Sequence, residues 1–397
     1  MTMTNKKYLE NSYLTEYEGK ILLNRQVDDK FHLLLDKTIF YPDGLGGQKG
    51  DIGTINGINV EYSFEKEDKI YHVTSEKVPG SEGLILINWE NRLKIMQQHT
   101  TQHLVSQCFK KLYNIDTLGF HASKDFISID LNIDSISQEQ IENVEELANS
   151  VIQNNLEVKT YFPDEKELEL IDFRREPKVD HDLRVVEIET FDFAACGGTH
   201  VKKTGELGLI KIIDTSRVNK NTRITVVSGQ LALKDYNTKN EIITKINYEL
   251  SANTDNILDK FSSFVEQNNN LKENYSKLKK EYYFLLKKNI MLNNENKKIV
   301  IYDFSKFPFE DAQLLSKEFE DENVILAIYN NQNLNIIPLL VKVCGNLDIS
   351  LKEFNNALKN KLNFKGGGKD HLIQGVIVNS KDSNIEEFLY SQLKNYI

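Results

Sequence analysis

Apolar positions recur along the chain with two different periods, and the change from one to the other divides it. Up to about residue 90 they come in short runs, at 20–23, 31–35, 51–55 and 84–89, separated by Gly, Asp and Pro. That texture predicts strands joined by turns, a small β domain. Over 92–113 the apolar residues Leu93, Met96, Leu104, Cys108 and Leu112 fall on a helical period, and 138–153 repeats it. Strand-like runs at 126–131, 183–188, 207–213 and 222–228 make this second stretch a mixture of helices and sheet.

From about 236 to 295 there is no Gly or Pro, so this third stretch is expected to be helical. Ile257, Phe261, Phe264, Asn268, Leu271, Tyr275, Leu278, Tyr282 and Leu285 alternate spacings of four and three. This is the seam of a coiled coil or long helical hairpin, with Asn268 its one polar member. Such a seam calls for a partner, either a second copy or the protein's own body. The last stretch alternates strands (299–302, 324–329, 334–340, 376–379) with helices (311–319, 385–394) and reads as a compact α/β domain. The expected fold class is α+β, in four parts: 1–90 a β-barrel-like domain, 91–235 a mixed core, 236–297 a helical arm, 298–397 an α/β domain.

Composition narrows this further. With 397 residues, 40% of them hydrophobic, the chain has material for two or three ordinary cores, which excludes a wholly disordered protein. No apolar run is long enough to span a bilayer, and residues 1–10 lack the apolar stretch of a signal peptide, so a cytoplasmic protein is expected. Three cysteines, Cys108, Cys196 and Cys344, are too few and too scattered for a disulfide framework. The formal charge of −10 argues against non-specific nucleic-acid binding, although lysines bunch at 110–111, 202–203 and 272–298.

The chemistry concentrates in two segments. His99 and His103 stand at i and i+4 of an expected helix, which puts both imidazoles on one face. Cys196 and His200 have the same spacing across Gly197 and Gly198, which permit a tight loop. One such pair alone is a weak signal; two, in a chain with eight histidines and three cysteines, point to one metal site. Three imidazoles and a thiolate suit zinc. Cys196 as a covalent nucleophile is the competing role, disfavoured because a metal-bound thiolate attacks poorly. A glycine-rich loop, 43–51, places Gln48 at its edge but matches no Walker or Rossmann pattern. The triplet Asp180-His181-Asp182 reads as a polar loop.

Taken together these residues resemble the editing domain of alanyl-tRNA synthetases and the stand-alone AlaX family. The resemblance rests on Thr38-Ile-Phe-Tyr-Pro42 with its Gly46-Gly-Gln-Lys-Gly-Asp51 loop, on His99-x-x-x-His103, on Arg184-Val-Val-Glu-Ile188, on Cys196-Gly-Gly-Thr-His200-Val201 and on Thr204-Gly-Glu-Leu-Gly208. It spans roughly 20–230. Farther on, Phe364-Lys-Gly-Gly-Gly-Lys-Asp370 is similar to the glycine-rich signature of the C-terminal domain of alanyl-tRNA synthetases, so the chain looks like the long form of AlaX. DHH-type phosphoesterases share that signature, but no Asp-His-His occurs here. The editing-like segment begins within about 20 residues of Met1, so no aminoacylation domain is expected ahead of it.

The resemblance implies hydrolysis of the ester joining serine or glycine to mischarged tRNA(Ala), in trans. It implies zinc held by His99, His103, Cys196 and His200, with Thr38 sensing the serine hydroxyl and Gln48 helping to hold substrate or water. Contacts to tRNA are expected from Lys202, Lys203, Arg217, Lys220 and Arg223, and from a loop formed by Lys365, Gly366, Gly367, Gly368 and Lys369. A homodimer through the arm and the C-terminal domain is a further expectation. The alternatives are a non-catalytic zinc-containing tRNA-binding protein and an editor of another mischarged tRNA such as Ser-tRNA(Thr).

Overall fold

The computed structural model describes residues 3–177, 183–333, 335–378 and 384–397. The triplet at 180–182 lies outside them, as do positions 334 and 379 at the ends of two expected strands. The chain divides into two units, Met1–Tyr248 and Glu249–Ile397. Both mix helices with sheets.

Near its start the first unit has six strands, each paired to two neighbours so that the sheet closes on itself: Glu16–Val27, Lys30–Leu35, Lys69–Thr74, Ile58–Lys66, Gly53–Ile55, Glu82–Ile87. Leu33, Leu35, Ile55, Val60 and Ile85 fill its interior. Ile58–Lys66 and Lys69–Thr74 are missing from the sequence reading. Their hairpin turns on Glu67 and Asp68, both at positive φ (51° and 57°), a mirror-image turn made without the Gly that normally signals it. Register also shifts between Val60 and Tyr62, which breaks the alternation a strand is read from.

The helix Trp89–Tyr113 starts at Asn88, whose side chain accepts from the Asn91 amide, and ends at Asn114 in the left-handed conformation. Trp89 therefore belongs to the helix, not to the preceding strand. Most of the helix is buried, residues 95–106 without a break. It is the axis of a core that includes Leu104, Phe109, Ile129, Val144 and Ile224. Around it lie the helix Gln138–Gln153, opened by a Ser137/Gln140 capping box, and two sheets. One sheet runs Ile210–Val218, Asn221–Ser228, Ile127–Leu131, Thr117–Ala122; the other runs Val158–Tyr161, Val185–Ile188, Asp192–Ala195. The strand expected at 207–213 starts at Ile210, because Thr204–Leu207 forms a 3-10 turn ending at Gly208 with φ 64°.

Helix and closed sheet are tied by a fully buried ion pair. Arg92 Nε and Nη2 meet the two Asp51 oxygens at 2.7 and 2.6 Å, and the remaining guanidinium donors reach the Ser12 and Ile39 carbonyls. Every charge is thus neutralised and hydrogen-bonded, the condition under which burial of an ion pair is tolerated.

The helical stretch is two helices, Gly229–Leu250 and Ile257–Leu292, separated where Asn253 and Asn256 fold back onto local amides. Phe261, Phe264, Leu271, Tyr275, Leu278 and Leu285 of the expected seam are exposed. The C-terminal sheet runs Ile299–Asp303, Ile325–Tyr329, Ile336–Val343, Leu372–Val378, Phe364–Lys369, with only the first pair parallel. Ala312–Glu318 and the end of Ile257–Leu292 cover one face, Lys352–Lys361 and Ile385–Leu393 the other. The expected glycine loop at 366–368 is instead the edge strand of this sheet. Gly366 and Gly368 are there for close approach, whereas Gly367 faces open space: a Cβ on Gly366 would stand 2.6 Å from the Phe364 ring and from the Gly375 Cα. Among the described residues no helix is long and apolar enough to cross a membrane.

Candidate metal centre

His99 and His103 sit one turn apart on the buried helix, and Cys196 and His200 on the loop that follows Asp192–Ala195. Their ligand atoms all lie within 4.8 Å of one another, so the group can hold a metal ion. Cys196 Sγ is 3.4 Å from His99 Nε2 and 3.4 Å from His200 Nε2. Tetrahedral zinc with ordinary bond lengths separates a sulfur from a nitrogen ligand by about 3.5 Å, so the donor set and its spacing fit zinc.

Each imidazole is oriented by its other nitrogen. His99 Nδ1 is 2.7 Å from Gln48 Oε1, His200 Nδ1 is 3.1 Å from Thr100 Oγ1, and His103 Nδ1 faces Asp192 Oδ2 at 3.5 Å. The Nδ1 atoms of His99 and His200 thus have a hydrogen-bond partner and that of His103 faces a carboxylate, which leaves the Nε2 lone pairs for a shared ligand. Asp192 is fully buried and is itself held by Arg174 at 2.7 Å, which also donates to the His103 carbonyl. His103 Nδ1 and Asp192 Oδ1 are buried without a hydrogen-bond partner among the described residues.

The loop is built to bring Cys196 and His200 inward. Gln48, buried rather than at an exposed edge, accepts from the Thr199 amide and donates to the Thr199 hydroxyl. Arg184 donates to the Cys196 and Gly198 carbonyls, at 3.0 and 2.8 Å. A Cβ on Gly198 would lie 2.1 to 2.3 Å from the His99 ring, so no other residue fits there, whereas Gly197 faces open space. Phe120 stacks on the His99 ring.

The electrostatics suit a thiolate. Burial pushes the Cys196 thiol up, but His99, His103 and His200 outweigh it and hold the group well below its ordinary value. Burial and His99 hold His200 well below the ordinary imidazole range. For His103, burial disfavours the cation, but Asp192 and Cys196 raise it overall.

The other sequence candidates lie elsewhere. Thr38 is buried, its hydroxyl 2.9 Å from His72 Nε2 and accepting from the Phe40 amide. Arg223 pairs with Asp130 and Arg217 with Asp134 across exposed strands, and the Lys202 ammonium sits over the Tyr13 ring. Lys203 and Lys220 are exposed. The cations that line the cavity at Cys196 are Arg174, Arg175 and Arg184. Thr100, Arg174, Asp192 and Thr199, which orient the ligands, were not singled out in the sequence. Thr100 and Thr199 stand within the two ligand segments, while Arg174 and Asp192 leave no local signal.

A family model described as the threonyl and alanyl tRNA synthetase second additional domain matches residues 183–224, the stretch that carries Cys196 and His200. Over the whole chain the protein is similar to the alanyl-tRNA editing protein AlaX-L of Pyrococcus horikoshii, 31% identical across 416 residues and covering 100% of both chains. It is also similar to alanine–tRNA ligases of Methanococcus maripaludis, 28% identical over 97% of this chain and 43% of the ligase. For the ligase of Thermofilum pendens the values are 28%, 98% and 44%. The chain thus spans less than half the length of these ligases.

Proposed function

The chain belongs to the AlaX-L alanyl-tRNA editing proteins, and on that premise we propose that it hydrolyses the ester of serine or glycine wrongly attached to tRNA(Ala), with zinc held by His99, His103, Cys196 and His200. The observation that carries the reading is the convergence of three imidazoles and one depressed thiol beside an open cavity. Editing answers a physical limit: an alanine pocket discriminates against one methylene or one hydroxyl by only about 1–3 kcal/mol, so errors must be removed at a second site.

Bound zinc would supply Lewis acidity for the ester carbonyl or a water of lowered pKa. Gln48 is a positioning residue here, fixing the His99 ring and the Thr199 backbone rather than touching substrate. Asp192 and Thr100 do the same for His103 and His200. Thr38 is assigned to sense the serine hydroxyl, with its own hydroxyl steadied by His72. Four protein ligands favour a zinc that anchors the substrate over one that carries water throughout.

The four-part division at 90, 235 and 297 remains our assignment, with the barrel and core doing the chemistry. The last part grips the tRNA body through Lys365, Gly366, Gly367, Gly368 and Lys369 on their edge strand. Lys202, Lys203, Arg217, Lys220 and Arg223 are assigned to phosphates, those in ion pairs exchanging partners on binding. The exposed seam of Ile257–Leu292 is assigned to a second copy of the chain. The cytoplasm is the compartment assigned on this reading.

The test is deacylation of Ser-tRNA(Ala) and Gly-tRNA(Ala) by purified protein of measured zinc content, with Ala-tRNA(Ala) and Ser-tRNA(Thr) as comparisons. Loss of the wrong amino acids with the alanyl ester spared is the expected result. Cleavage of Ser-tRNA(Thr) alone would move the substrate assignment, and zinc-loaded protein without activity would favour a binding protein.

A further inference from the structure

The side chains of Arg92 and Asp51 have no exposed surface. A buried ion pair adds little stability over apolar side chains of the same volume; what apolar side chains cannot supply is direction. The directions here lead to Thr38 on one side and to the metal centre on the other.

Arg92 Nη2 donates to the Ile39 carbonyl at 2.6 Å. That carbonyl shares a planar peptide unit with the Phe40 amide, which donates to the Thr38 hydroxyl at 3.1 Å. Holding one end of the unit fixes the other, so the Thr38 hydroxyl is set from the helix that carries His99. Asp51 extends the grip, because it stands at the end of the loop of Gln48 and accepts from the Tyr41 amide.

The same construction recurs toward the metal ligands. Arg92 Nη1 donates to the Ser12 carbonyl at 2.6 Å, and the Ser12 hydroxyl donates to the His200 carbonyl at 3.1 Å. The His200 carbonyl shares its peptide unit with the Val201 amide, which donates to Thr100 Oγ1 at 3.2 Å. That oxygen is the partner of His200 Nδ1. Ser12 therefore acts on the His200 ring through the peptide behind it.

We propose that Arg92 and Ser12 are positioning residues for the editing reaction: together they set the Thr38 hydroxyl and the His200 imidazole in one frame, which keeps the residue assigned to the amino acid in register with the metal ligands. The part concerning Thr38 rests on the editing reading, whereas the part concerning His200 is measurable as metal affinity without hydrolysis.

The experiment uses full-length Ser12→Ala, Ser12→Thr and Arg92→Lys, and the double variant that joins the first and last. Zinc affinity is read by competition with a chelator, and steady-state deacylation of Ser-tRNA(Ala) is followed on zinc-loaded protein. Ser12→Ala is expected to weaken zinc binding and to lower kcat about 2- to 10-fold each, the contribution of one hydrogen bond, and Ser12→Thr, which keeps the hydroxyl, to restore both. Lysine keeps the charge opposite Asp51 but lacks the planar fork that reaches both Asp51 oxygens and two carbonyls. Arg92→Lys is therefore expected to lower kcat on the order of 100-fold with KM within about threefold, the pattern of a misplaced site. In that background the further effect of Ser12→Ala on zinc affinity should shrink to less than about twofold, because Ser12 is no longer held.

Wild-type zinc affinity in Ser12→Ala would overturn the proposal, as would full additivity of the two changes, or a kcat near wild type in folded, zinc-loaded Arg92→Lys. If Arg92→Lys does not fold, Ser12→Ala and its threonine counterpart decide through the same affinities and through kcat. Any of these failures can coexist with rapid deacylation by the wild-type protein, which leaves the editing reading standing. Wild-type protein that hydrolyses none of the esters would refute the editing reading and the part concerning Thr38 with it, while the zinc affinities still decide the part concerning His200.

Discussion

Gln48 Oε1 lies 2.7 Å from His99 Nδ1 and 3.0 Å from the Thr199 amide, so one side-chain oxygen orients a ligand on the helix and the loop that carries two more. Gln48→Leu removes these two hydrogen bonds, and the one to the Thr199 hydroxyl, from a buried position. It is expected to lower zinc affinity about 10- to 100-fold, the usual cost of losing a partner behind a metal ligand. Competition with a chelator of known affinity measures this. Affinity equal to wild type would mean that the contact has no bearing on the metal.

The two glycines of the Cys196–His200 loop should differ sharply. Gly198→Ala drives a methyl into the His99 ring, whereas Gly197→Ala meets open space. Zinc affinity is expected to fall on the order of 100-fold in the first variant and to change little in the second. Metal analysis after dialysis against a weak chelator separates them.

Thiol chemistry offers a third check. Burial pushes Cys108 up to about 12 and Cys344 up to about 11, whereas Cys196 is held well below its ordinary value by the histidines that overcome its burial. In metal-stripped protein at pH 7.5, iodoacetamide is therefore expected to modify Cys196 and spare the other two. Zinc should slow that reaction at least tenfold. Mass spectrometry of the labelled peptides reads both results.

Acid should destabilise the first unit through His72. Burial pushes its pKa down to about 4, against which its contact with the Leu33 carbonyl is a lesser effect. The unfolded chain takes up a proton below about 6.5 and the folded one only near 4, so the stability is present above the unfolded value and is lost as pH falls between the two. The slope is roughly 1.4 kcal/mol per pH unit in that window. Urea midpoints between pH 7 and 4.5 should drop in wild type and flatten in His72→Gln.

Much of this was legible in the sequence because it is local. The helix over 138–153 shows in its period, and both ligand pairs show as spacings of four. What was not legible depends on residues far apart in the chain. The role of Gln48 needs a partner 151 residues away, and that of Asp192 needs the Arg174 guanidinium and a helix passing beside it. Barrel strands without Gly at their turn carried no boundary signal, and Arg217 and Arg223 looked like free cations because Asp134 and Asp130 lie on neighbouring segments. The glycine run at 366–368 was misread for the opposite reason. Its composition announces a loop, while the Phe364 ring, laid over Gly366 and Gly375, supplies the side-chain packing that those glycines lack.

The distance in sequence between the two halves of the metal site also has a consequence for biosynthesis. His99 precedes Cys196 by 97 residues, so a ribosome delivers the first pair of donors well before the second exists. Two imidazoles on an unfinished helix hold a divalent ion only loosely, and the remaining donors are placed by strands that must first be translated and paired. If the cluster takes up zinc as proposed, capture is therefore a late event in maturation, and a chain truncated before residue 200 should leave translation without tightly bound zinc.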